Sequence, residues 1–208
     1  MSIVFLEPGG AATEGPHLWD GSHTAFPTID TSIKPAEAYS SLKFAAGQEV
    51  EVLIMQRFRR ISFYFRVDAL PVSGNEPFLE VSDFQDFTIF FITITSAGKL
   101  AWSDPTSANV IEGSTVIATD TWYHAAAAYD GHVTADDLEL KIYLEEAEEV
   151  SVVGGSTNGI PFSGTGIDDR LRPFNDASGR NVWLAHLYVD DGDDLGNPGD
   201  IRVTAKFP

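Results

Sequence analysis

The chain has 208 residues, 43% hydrophobic and 12% aromatic, enough apolar side chain for one folded core and too much for disorder. It has no cysteine, which excludes a disulfide framework, a thiolate metal site and a cysteine nucleophile. Thirteen basic against 31 acidic residues give a formal charge of -18, which repels nucleic acid and anionic membrane. That charge suits a solvated acidic surface, cation condensation or a basic partner.

The N-terminus, MSIVFLEPGG, has no basic region followed by a long apolar stretch, so no signal peptide is expected. From there to about residue 39 the sequence is rich in Gly, Pro and small residues, with apolar anchors at Ile3, Phe5, Leu18, Trp19 and Phe26. This composition predicts an extended arm (residues 1–39) that packs on the domain or on a neighbouring subunit. Pro35 to Phe44 has a proline where a helix can start, although YSSLKF within it also reads as a strand.

Strand patterns follow one another from residue 40. EVEVLIM (Glu49 to Met55) alternates carboxylates with valines, and Ile61, Phe63, Phe65 and Val67 share one side of ISFYFRVDAL. PVSGNEP breaks the chain. FTIFFITIT (Phe87 to Thr95) reads as a strand buried on both faces and is far too short to cross a bilayer. Ser96-Ala97-Gly98 predicts a hairpin turn into KLAW. STVIAT, TWYHAAAAYD, LELKIYL, VSVV, VWLAHLYV and DIRVTAKF continue the series. Ala125 to Ala128 favour helix in isolation, but the run is short and ringed by aromatics, so a tightly packed strand is expected. SVVGGSTNGIPFSGTG reads as a long loop, a usual position for binding residues. Without βαβ alternation or a repeat of 20 to 50 residues, these elements predict two stacked antiparallel sheets over residues 40–208.

Charge is segregated. Arg57, Arg59, Arg60 and Arg66 cluster in QRFRRISFYFR, while Asp130 to Glu149 holds many acids and Lys141 as its one base. Such polarity fits complementary faces in an assembly, or two ordinary loops.

The succession ISFYFRV, AGKLAW, DTWYHAAAAYDG, LELKIYLEEAEE, VWLAHLYVDDG resembles the concanavalin A-like, laminin-G-type jelly roll. The matching positions are Phe63 and Phe65; Gly98 and Leu100; Trp122, His124, Tyr129, Asp130 and Gly131; and Leu140, Ile142 and Tyr143. The opening IVFLEPGG…HLWDG and the closing HLYVDDGDDLGNPGDIRV are similar to virion proteins of tailed bacteriophages with this fold. The resemblance implies a non-enzymatic virion component, a capsid decoration or tail-associated part, assembled in the host cytoplasm. Its partners would be other virion proteins and further copies of itself, without membrane insertion. A carbohydrate-binding adhesin is the alternative, and a glycoside hydrolase the third reading.

Candidate chemistry is sparse. The acidic stretch after Val189 fails the calcium-loop pattern of an EF-hand: starting at Asp191, position 5 is Leu195 and position 12 is Arg202. Asp191 and Asp193, with loop carbonyls, remain a possible calcium site beside the reading of a solvated turn, and DGHVTADD (Asp130 to Asp137) is weighed the same way. Glycosidases need paired carboxylates facing one scissile bond. Glu49 and Glu51 lack a third member, and Glu80, Asp83 and Asp86 fall at the wrong parity along their strand. His124 and His186 lie inside strand patterns and read as packed imidazoles, and Trp102, Trp122 and Trp183 as core. No catalytic, metal or ligand-binding residue is assigned from the sequence beyond these candidates.

Overall fold

In a computed structural model, the structure describes residues 4–6, 27–36, 38, 40–54, 59–83, 88–105, 110–130, 139–153, 169–175 and 179–190. Every regular element among them is a β-strand. In chain order these are β1 (Val4–Leu6), β2 (Thr28–Asp30), β3 (Ser41–Phe44), β4 (Gln48–Glu49) and β5 (Val52–Ile54). There follow β6 (Arg60–Val67), β7 (Asn75–Asp83), β8 (Thr88–Thr95), β9 (Lys99–Ser103) and β10 (Val110–Val116). The last are β11 (Tyr123–Asp130), β12 (Glu139–Leu144), β13 (Ala147–Val153), β14 (Asp169–Asn175) and β15 (Val182–Asp190).

The period-2 patterns decide which side of each strand is enclosed. On β6, Ile61, Phe63, Phe65 and Val67 are buried in the core, and β11 sets Ala125, Ala127 and Tyr129 beside them. The alanines are small enough to let the large β6 rings fill the space between sheets, which is why a helix-favouring run becomes a strand. One sheet runs β13-β12-β11-β6-β15-β3-β2, with β1 also on β15. The second runs β10-β9-β8-β7-β14-β4, with β5 also on β14. All pairings are antiparallel. The expected all-β two-sheet sandwich is what forms. Between the sheets, Phe78 of β7 meets Phe63 and Phe65 at 6.0 and 5.4 Å, and Phe90 meets Tyr129 at 5.3 Å. Burying each such ring stabilises the fold by roughly 1.5–3 kcal/mol.

Several expectations need correction. EVEVLIM forms two strands, though both follow one register: Glu49 faces Phe174 and Val52 faces Leu171. The break lies opposite Pro173, which has no N–H to give the ladder and only accepts from Val50 N at 3.0 Å. The strand expected at STVIAT starts earlier and ends at Val116, where Ile117 N turns to Gly98 O at 2.8 Å. Pro35 to Phe44 holds a single turn, with Ala38 N donating to Pro35 O, before strand β3. The β14 strand was not foreseen at all.

The segment before residue 40 supplies two strands to this chain's own first sheet, β1 on β15 and β2 on β3. The rest of that segment through residue 26, the 154–168 loop, DGHVTADD apart from Asp130, and the closing DGDDLGNPGDIRVTAKF lie outside the described residues.

Candidate functional site

Strand β14 lies between β7 and the β4–β5 line, and its alternation sends Leu171 into the core. Arg170, Arg172 and Phe174 therefore share its other side. Arg172 stands directly opposite Glu80 of β7. Its Nη2 donates to Glu80 Oε2, and its Nη1 lies 3.4 Å from Glu49 Oε2 on the opposite flank. Arg170 Nη1 lies 2.9 Å from Glu51 Oε1. Both contacts to the β4–β5 line are diagonal, because the register sets each arginine two residues from its partner, still within reach of a long side chain.

The result is a ladder of five charges across three strands. Glu80 forms its floor, with a side chain only 5% exposed, and also accepts from Thr88 Oγ1 at 2.5 Å. Arg172 is 35% exposed and lies over the Phe174 ring, its guanidinium carbon 5.4 Å from the centroid. Phe91 of β8 stands opposite Glu80 and packs edge-on against Phe174 at 6.2 Å. Arg172 is thus fixed by a carboxylate on each side and a ring beneath, leaving it little freedom to lose on meeting a ligand.

The outer side of the first sheet carries another polar group. Ser62 Oγ and His124 Nε2 are 2.8 Å apart, and the Tyr64 ring lies 5.3 Å from His124 and 5.8 Å from His186. A serine–histidine contact is half of an acyl-transfer apparatus. Here both residues are almost wholly enclosed, so a substrate carbonyl has no path to Ser62 Oγ.

Of the sequence candidates, Glu49, Glu51 and Glu80 come together, bridged by arginines rather than aligned along one strand. Asp83 ends β7, facing Asp169 of β14, and Asp86 lies outside the described residues. So do Asp191 and Asp193. Among the described residues no cluster of His, Asp and Glu is disposed to hold a metal ion. Trp102 and Trp183 are buried as expected, while Trp122 is half-buried. The functional residues missed are Arg170 and Arg172. Their signal was the alternation in DRLRPFN, hidden because it follows directly on a long glycine-rich run.

No protein-family model and no curated protein matches the chain. Solved structures share its fold. A cellulose-induced protein aligns with a TM-score of 0.58 at 11% identity, over 87% of this chain and 94% of that one. An alginate lyase from Corynebacterium sp. aligns with a TM-score of 0.53 at 10% identity, over 81% and 82%. The binding domain of botulinum neurotoxin DC in complex with rat synaptotagmin II gives 0.54 at 16% identity, over 81% and 43%; in complex with SialylT it gives 0.52, over 83% and 45%. The chain spans less than half the length of these toxin domains. At such identities the likeness establishes a jelly-roll-like β-sandwich, and the fold leaves function to the site.

Proposed function

We propose that the chain is a non-enzymatic, lectin-like β-sandwich that binds glycan across β14. The observation that carries this reading is the fixed Arg172, held between Glu80 and Glu49 over Phe174. Sugar recognition needs alternating donors and acceptors spaced for vicinal hydroxyls, on a rigid platform with apolar surface nearby. Arg172 and Glu49, set above the enclosed Glu80, and the half-buried Phe91 supply these. Fold neighbours described as a lyase of alginate and as a toxin domain bound to SialylT support the choice of ligand class.

Turnover has less support. A glycosidase needs one carboxyl as proton donor and a second as base or nucleophile. Each of the three glutamates here faces a guanidinium, and no histidine or tyrosine among the described residues stands on this side of the second sheet. Binding to a glycan array tests the proposal. Wild-type protein should bind at least one glycan class, and Arg170→Ala and Glu49→Gln should each weaken it about tenfold, the cost of one charge-assisted hydrogen bond. Absence of binding to every glycan, with and without calcium, would sink it.

The second reading is a structural part of a tailed-phage particle exterior. The closing HLYVDDGDDLGNPGDIRV supports it, together with half-exposed Ile29 on β2, the last strand of the first sheet among the described residues. Locating the protein by electron microscopy of an assembled particle tests that placement.

A further inference from the structure

Building on the glycan-binding reading, we infer that Thr88 is a positioning residue of the site: it fixes Glu80, and through Glu80 the guanidinium of Arg172 that meets the ligand. The starting point is a break in the β7–β8 ladder. Val81 faces Phe90, but the next pair is Ser82 with Thr88, so Ile89 is an extra residue on β8. Phe91 lies on the outer side of the sheet, opposite Glu80 and against Phe174. Strict alternation from there would turn Ile89 outward and Thr88 into the core. Instead Ile89 and Phe90 are consecutive core residues. Thr88 is turned to the outer side, where its Oγ1 lies 2.5 Å from Glu80 Oε1. A bulge interrupts its ladder, and what this one supplies is a hydroxyl beside an enclosed carboxylate.

Glu80 divides its oxygens. Oε1 accepts from Thr88 Oγ1, and Oε2 accepts from Arg172 Nη2. The Glu80 side chain is enclosed, so an oxygen that loses its donor there has no bulk water to turn to. The hydroxyl therefore holds the carboxylate in one orientation, and that orientation sets the line along which Arg172 Nη2 donates. Arg172 is the accessible end of this chain of contacts. Without the hydroxyl Glu80 is free to turn, and among the described residues Arg172 then keeps Glu49 on its flank and the Phe174 ring beneath it. A guanidinium with more rotamers open has more freedom to lose when a ligand immobilises it.

Phenylglyoxal labelling of arginines, read site by site by mass spectrometry, tests the chain of contacts without any glycan. Thr88→Val keeps the shape of the side chain and removes the hydroxyl, whereas Thr88→Ser keeps the hydroxyl. Arg172 should label about threefold faster or more in Thr88→Val and within about twofold of wild type in Thr88→Ser, with Arg66 on the first sheet unchanged in both. An unchanged Arg172 rate in Thr88→Val would overturn the inference, as would an equal rise at Arg66, which reports general loosening. The same variants are then titrated against the glycan that wild type retains on the array. Thr88→Val should bind about threefold more weakly or worse, and Thr88→Ser like wild type. Wild-type affinity in Thr88→Val would also overturn the inference, while leaving the glycan-binding reading standing. No array binding by wild type would remove that reading instead, and the labelling pattern would still decide whether Thr88 fixes Arg172.

Discussion

Trp102 and Trp183 are both buried, yet their indole N–H groups have opposite fates. Trp183 Nε1 donates to Asp30 Oδ2 at 3.0 Å, and Lys43 and Arg66 lie over its ring at 5.4 and 4.9 Å. Burial alone would raise the Asp30 pKa, but hydrogen bonds from Ser32, Ile33 and Trp183 outweigh it and hold the carboxyl well below the usual range. Trp102 Nε1 finds no acceptor among the described residues. The same substitution should therefore differ in cost at the two sites. Trp183→Phe loses a charge-assisted bond and weakens two cation–π contacts, at a cost of about 2 kcal/mol. Trp102→Phe leaves a small void but removes an unsatisfied donor, so the two effects offset to within about 1 kcal/mol. Urea midpoints of both variants check this, and equal losses would contradict it. Nothing in the sequence distinguishes these tryptophans. Each sits in a run of apolar strand residues, and only the register shows which indole reaches a carboxylate.

At the scale of elements, the two sheet edges β10 and β13 are joined by one side chain. Between Glu112 and Val116 the β10 ladder is irregular, and Glu149 of β13 fills the interruption. Its carboxylate accepts from Ser114 N at 2.6 Å, Ser114 Oγ at 3.0 Å, Thr115 N at 2.9 Å and Thr115 Oγ1 at 2.5 Å. Burial by itself would raise the Glu149 pKa; these bonds outweigh it and lower it. A depressed folded-state pKa means the stabilisation is full above the ordinary glutamate range and is lost as pH falls through the folded value. Glu149→Ala should cost about 1–2 kcal/mol near neutrality, with the gap to wild type closing in acid. Denaturant titrations from pH 7 to pH 3 measure it, and a constant gap would refute the assignment. Strands with strong apolar alternation, such as β6 and β12, or with a dense apolar run, such as β8 and β15, were legible from the sequence. The β14 strand was not, because its outward residues are arginines whose partners lie on β7 and on β4–β5, far away in sequence. The site was half legible for the same reason. Glu49, Glu51 and Glu80 were picked out as carboxylates, but searching along single strands could not find a pairing that runs across them.

Over the whole molecule, contacts distant in sequence dominate. Asp68, just past β6, accepts from Asn181 N and Nδ2 at 2.7 and 2.6 Å, and Asn175 Nδ2 donates to Phe44 O and Arg180 O at 3.0 and 2.8 Å. These bonds tie the end of β14 and the approach to β15 to elements laid down more than a hundred residues earlier. Such a topology folds slowly, because loop closure must precede the contacts that reward it. Stopped-flow refolding should proceed on the millisecond-to-second scale or slower, and a sub-millisecond major phase would contradict this.

The placement of β15 has one more consequence. It is the last described strand, yet it lies inside its sheet, with β6 on one side and β3 and β1 sharing the other. The two outer neighbours meet it on either side of a bulge, where His186 takes a φ of 50°. During synthesis, β6 emerges before both of its neighbours, β11 and β15, and its edge toward β15 stays bare until more than a hundred further residues have left the ribosome. Once β11 has joined β6, and until β15 arrives, the nascent chain is a sheet with a vacant central slot, open to any passing strand. The order of translation, more than the finished fold, is where this protein is exposed to misassembly.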